Sequence, residues 1–212
     1  MTLSTDDPLS QQLRRSAEHR DAETVRRSLT DPEAFAELFD RYFGELHRYA
    51  SRRVEGAADD LAAEVFLVAF SQRGRYDPAR GPVRAWLYGI TTHLIKRHRR
   101  TEVRGYRALA RVSAEPPPDA SDERLVARAA ASAVRGRLAA ALGRLKSRDR
   151  DTLLLVAWAE LPQADAAAAL GVPVGTVASR LNRARRQLRE ALGDLDPTQE
   201  VFSGKEFRDE RA

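Results

Sequence analysis

The stretch 161-LPQADAAAALGVPVGTVASRLNRARRQLR-189 decides how this chain folds. Pro162 fits the first turn of a short helix, and the small residues Ala166 to Ala169 allow close packing. Gly171 suits a turn where φ can be positive, and Pro173 suits the start of a second helix. A short helix, a glycine-containing turn of three or four residues and a longer helix together make a helix-turn-helix. In the second helix Val174, Val177, Leu181, Ala184, Leu188 and Ala191 alternate spacings of three and four, which is one inward stripe. Its other sides carry Ser179, Arg180, Asn182, Arg183, Arg185, Arg186 and Arg189. A merely solvated face usually alternates charge signs for i,i+4 pairing. Five arginines between 180 and 189 with no acid among them fit a different use. With its first turns in a major groove, such a helix offers Ser, Asn and Arg to base edges and its later arginines to phosphates.

Upstream, Thr30-Asp31-Pro32-Glu33 is a helix start: Asp31 as cap with Pro32 behind it, or Thr30 and Glu33 as a capping box. Phe35, Leu38, Phe39, Tyr42, Phe43, Leu46 and Tyr49 then recur on one helical face. Gly56 ends that helix, and a second runs from about Ala58 to Gln72 with Leu61, Val65, Phe66, Val68 and Ala69 inward. Gly74, Pro78, Gly81 and Pro82 form a loop. A third helix starts near Val83, places Trp86, Leu87, Ile90 and Leu94 inward, and ends in Lys96-Arg97-His98-Arg99-Arg100. From Ser113 to Glu123 come three prolines and four acids with no base, the composition of an extended linker. The expected fold is therefore all-α, with two small helical domains joined by an acidic tether. The boundaries are an N-terminal extension at 1–29, a first domain at 30–111, a linker at 112–124, a second domain at 125–193 and a tail at 194–212.

Length and composition agree. At 212 residues the chain holds one large domain or two small ones, and 36 basic against 31 acidic residues give a net charge of +5. Arginine supplies all but Lys96, Lys146 and Lys205, a bias that codon usage explains as well as phosphate recognition does. The longest uncharged stretch, Ala166 to Ser179, falls short of the ~20 apolar residues a membrane span needs. The acidic N-terminus has no apolar run, so no secretory signal is expected. Without cysteine the chain has no disulfide or thiolate chemistry, which suits a cytoplasmic location. His19, His47, His93 and His98 stand in no metal-ligand or triad arrangement. There is no GxSxG, P-loop or Rossmann pattern either, so neither enzyme activity nor a metal or other cofactor is expected.

Residues 171–185, Gly-Val-Pro-Val-Gly-Thr-Val-Ala-Ser-Arg-Leu-Asn-Arg-Ala-Arg, resemble the recognition-helix signature of extracytoplasmic-function (ECF) sigma factors, the two-domain group of the sigma-70 family. Residues 31–42 resemble the opening of that family's first conserved domain, 59–67 its core-polymerase-binding helix, and 76–90 its promoter-melting stretch. Ala178, Ala63 and His93 depart from the family's usual basic residue, glutamine and asparagine.

The resemblance implies a factor that binds core RNA polymerase and directs it to promoter DNA. It implies core contacts at Asp59, Asp60 and Glu64, beside an exposed edge at Phe66 or Leu67. It places the largest and second-largest polymerase subunits as partners, with an anti-sigma protein as a frequent further one. Capture of the unpaired minus-ten strand falls to Arg75, Tyr76, Arg80, Arg84, Tyr88, His93, Lys96, Arg97, Arg99 and Arg100, basic groups beside aromatics that can stack. Trp86, on the inward stripe, is expected in the core. Thr176, Ser179, Arg180, Asn182, Arg183, Arg185 and Arg186 take the minus-thirty-five duplex. The linker acids Glu115, Asp119, Asp122 and Glu123 would enter the polymerase cleft, or simply keep a tether soluble. The competing reading is an autonomous helix-turn-helix regulator with an effector domain in front.

Overall fold

A computed structural model describes residues 8–54, 56–113 and 123–193, and among these residues every regular element is helical. The first domain holds α1 (Pro8–Arg27), α2 (Ala36–Ser51), α3 (Ala58–Gln72), α4 (Val83–Ile95) and α5 (Arg99–Val112). The second holds α6 (Glu123–Arg144), α7 (Ser147–Ala157), α8 (Gln163–Leu170) and α9 (Val174–Leu192).

The aromatic stripe of α2 does what its period dictates. Leu38, Tyr42, Leu46 and Tyr49 are buried, facing Leu61, Val65, Phe66 and Ala69 of α3 and Val83, Leu87 and Tyr88 of α4. Short 3-10 turns shape the loop between α3 and α4, where the Asp77 carboxylate accepts a hydrogen bond from the Ala79 amide and Gly81 adopts φ +142°.

Three features depart from the sequence expectation. The residues between the basic run Lys96–Arg100 and the linker, for which the sequence predicts no element, form α5 after one 3-10 turn, and α5 buries Glu102 and Tyr106. The N-terminal extension is a 20-residue helix seated through polar groups. Its Asp21, Thr24 and Ser28 are buried beside Val25, and Asp21 accepts from the Tyr42 hydroxyl and pairs with Arg41. On α4, Trp86 and Ile90 are only partly buried, while Tyr88, Thr91 and Ile95 join Leu87 and Leu94 inside. The helix therefore has two covered sides, and the second faces α8.

The domains meet on a buried ionic network. Arg53, just past α2, binds Glu102 of α5 at 2.7 Å and Asp151 of α7. Arg150 of α7 reaches Glu102 at 2.8 Å and donates to the Leu142 and Leu145 carbonyls. All four charged groups are 3% exposed or less. Linker residues 114–122, with Glu115, Asp119 and Asp122, and the tail 194–212 lie outside the described residues.

Candidate nucleic-acid and polymerase interfaces

In the second domain α8 ends at Gly171, which takes the left-handed conformation (φ 62°, ψ 39°) that a side chain disfavours. Pro173 then caps α9. Val177, Leu181, Ala184 and Leu188 are buried as their spacing requires. The ends of the stripe differ: Val174 is 49% exposed, Ala191 is exposed, and Leu192 closes the core instead. Four of the six stripe residues are buried and the two ends are not, because 3.6 residues per turn drifts against an alternating three-four pattern.

The opposite side of α9 presents Ser179, Asn182 and Arg186 to solvent, with Thr176 and Arg180 half-buried at its edges. The Ser179 hydroxyl donates to the Thr176 carbonyl at 2.9 Å. Arg183 is held by the buried Asp149 at 3.1 Å, so one end of its guanidinium fork is already committed within the domain. Arg185 is half-buried, and burial lowers its pKa, with Arg189 adding to the effect.

The first domain carries two further surfaces. At the start of α3, Asp59 and Asp60 are exposed, Asp59 beside His47 at 2.9 Å, and Glu64 is paired with Arg97 at 2.7 Å. Leu67 is 71% exposed and forms an apolar edge. Phe66 does not: it lies in the buried row with Ala62, Val65 and Ala69, its ring 4.9 Å from Phe39. The aromatic at this surface is Phe39, 41% exposed and stacked on Phe43 at 4.8 Å. Sequence periodicity put it in the core stripe, and only its place at the edge of that stripe hinted otherwise.

The second surface is the α3–α4 loop with α4 and the start of α5. Arg75, Arg80, His93, Lys96, Arg97, Arg99 and Arg100 are exposed. Tyr76 is half-buried against Trp86 at 5.1 Å and donates to the Gly81 carbonyl at 3.1 Å. Burial, helped by Glu18 and Asp77, pushes its phenol up to about 12, so it stays a neutral donor. Two expected contacts are turned away. Tyr88 is 2% exposed, edge-on to Tyr49 at 5.2 Å, because the inward side of α4 includes its position. Arg84 binds Glu45 at 3.0 Å and the Ala159 carbonyl at 2.7 Å, which ties it to the second domain.

Among the described residues no cluster of His, Asp and Glu could hold a metal ion, and no helix is long and apolar enough to cross a membrane.

Comparisons with known proteins bear on these surfaces. The profile of sigma-70 region 2 matches residues 38–105, and that of sigma-70 region 4 matches residues 135–188. The ECF RNA polymerase sigma factor SigM of Mycobacterium tuberculosis is 34% identical over 185 residues, covering 84% of this chain and 88% of its own. A probable RNA polymerase sigma-C factor of Mycobacterium bovis is 36% identical over 143 residues, 67% of this chain and 72% of its own. Among solved structures, CnrH in complex with the cytosolic domain of CnrY is similar at TM-score 0.56 and 26% identity, over 81% of this chain and 96% of that one. An autonomous regulator with a separate effector domain does not account for both regions standing in this order.

Proposed function

The chain belongs to the ECF group of the sigma-70 family and is an RNA polymerase sigma factor, a transcription initiation factor rather than an enzyme; from that premise we propose how its residues divide the work. Asp59, Asp60 and Glu64, with Leu67 and Phe39 as the apolar edge, dock on basic coiled-coil structure of the polymerase's largest subunit. Complementary charge there speeds encounter and fixes register more than it adds affinity. Asp59 and Asp60 also complement the positive end of α3, so they stabilise the helix that carries them.

Arg75, Tyr76, Arg80, His93, Lys96, Arg97, Arg99 and Arg100 capture the unpaired minus-ten strand. Melting needs a surface that prefers single strands, and phosphate contacts beside a stacking ring supply that preference. Ser179 and Asn182 read base edges in the minus-thirty-five duplex, and Arg180, Arg185 and Arg186 hold its backbone. Arg183 shares its guanidinium between Asp149 and the groove. The acidic linker enters the polymerase cleft, and the second-largest subunit is a further partner. The chain works in the cytoplasm and answers to an anti-sigma protein, in keeping with its likeness to CnrH, whose solved complex contains CnrY.

The observation that carries this reading is the exposed Ser179–Asn182–Arg186 row on a helix whose other side is seated through Val177, Leu181, Ala184 and Leu188. It is tested by in vitro transcription with core polymerase, with and without the chain, mapping start sites across genomic DNA. New start sites sharing a spaced pair of elements are expected. An unchanged set of start sites overturns the proposal.

A further inference from the structure

We propose that Asp149 of α7 is a positioning residue for promoter reading: it holds the guanidinium of Arg183 in one orientation on the open face of α9, so that Arg183 selects a base instead of binding backbone. This rests on the reading above, in which α9 enters the minus-thirty-five duplex.

Arg183 shares a face with the exposed row. It stands four residues after Ser179, next to Asn182 and three before Arg186, spacings that set these side chains beside one another on a helix. Its side chain is 43% exposed, and one Nη lies 3.1 Å from Asp149 Oδ1. The acid itself is 2% exposed. An acid in a helix's first turn complements the dipole while still in water. Asp149 is in the first turn of α7 but has been taken out of water, and a buried carboxylate requires a cation. Arg150, next in the chain, is spent on Glu102 and two carbonyls, so the cation comes from α9. Arg186 differs: it meets Glu190 at 3.9 Å with both side chains largely exposed, a pairing that fixes little in water.

The anchor has two effects. A free arginine gives up rotamer freedom when it binds, whereas Arg183 has surrendered much of it on folding. Its remaining N–H groups are offered in a set plane, and recognition of a base edge depends on the plane of that fork. The pair is also close to neutral. A phosphate gains little from a guanidinium matched by a carboxylate, while the acceptors of a base edge still find their donors.

The test uses the full chain with core polymerase on promoters whose minus-thirty-five element is randomised, with base preference read by sequencing the transcripts. Binding of the full chain to random duplex is measured in parallel over a range of salt. Asp149→Asn keeps the shape and removes the charge; Asp149→Leu keeps roughly the volume and serves where asparagine disturbs α7. Both should lower the preference at one position by about two- to tenfold, the affinity equivalent of immobilising one long side chain. Random-duplex binding should hold or rise, and its salt dependence should steepen by up to about one phosphate contact. In an Arg183→Ala chain the same Asp149 substitutions should leave base preference unmoved. Preference unchanged in both Asp149 variants, while Asn182→Ala alters it, overturns the positioning role and leaves the reading of α9 standing. A uniform loss at every position, with random-duplex binding falling in parallel, makes Asp149 a support for the fold alone and also overturns it. No change of preference from Asp149→Asn, Arg183→Ala or Asn182→Ala overturns the reading of α9 and the positioning role with it.

Discussion

The two helices that carry the chain's basic faces, α9 and α4, are built on opposite terms. In α9 one side is buried and the other is open: Leu181 and Leu188 are sealed while Asn182 and Arg186 stand in water. In α4 a second domain covers part of what the first leaves bare: Gly89 packs on α8, and Trp86 beside it is only partly exposed. A helix with one neighbour declares its function by its polar side. A helix with two neighbours hides part of its function under packing.

The sharpest way to break that comparison is at the junction. Glu102→Ala leaves Arg53 and Arg150 facing each other without their shared acid, a loss of about 3–5 kcal/mol against the joined arrangement when a buried pair is broken. Faster amide exchange in α5 and α7, with α9 protected, is the expected result; unchanged exchange would mean the network contributes nothing. Next comes the core of α9. Leu181→Ala should cost about 2–5 kcal/mol in denaturant unfolding, whereas Val174→Ala, at a half-exposed site, should cost under about 0.5 kcal/mol. Equal effects would deny the one-sided burial of α9.

On the open face, Asn182→Ala should weaken promoter duplex binding by the polymerase complex by about 1–3 kcal/mol while sparing random DNA. Arg186→Ala should weaken both alike, since a phosphate contact carries no sequence. The smallest effect concerns Asp165, whose carboxyl is raised chiefly by burial, while Glu18 nearby is raised by burial and by Asp165 itself. Both hold protons more firmly folded than unfolded, so their contribution is most favourable below the ordinary carboxylate range and declines as pH rises through the raised values. Asp165→Asn should therefore raise Tm at pH 7 by about 1–3 °C, and the gain should shrink toward pH 4 in thermal melts.

Much of this was legible from residue order. The turn at Gly171 and the middle of the α9 stripe followed from local chemistry, because each depends on neighbours within one helical turn. The acids of α3 and the exposed Leu67 were equally local. What stayed hidden involved distant partners. Glu102 meets arginines 49 and 48 residues away, and nothing beside it in sequence marks it as buried. Tyr88 is buried and Trp86 only partly so, because α4 has two covered sides where a single helical period implies one. The seat of α1 on Asp21, Thr24 and Ser28 escaped because hydrophobic patterning does not register a helix anchored by polar groups.

The four charges between the domains have one more implication. An oily junction torn apart leaves hydrocarbon in water and resists opening in proportion to its area. Ionised groups, once parted, recover their hydration, and well-packed apolar replacements often do as well or better in such places. The network is thus specific in geometry, while the apolar residues packed around it, Tyr106 of α5 with Leu142 and Leu145 of the second domain among them, carry the cohesion of the junction.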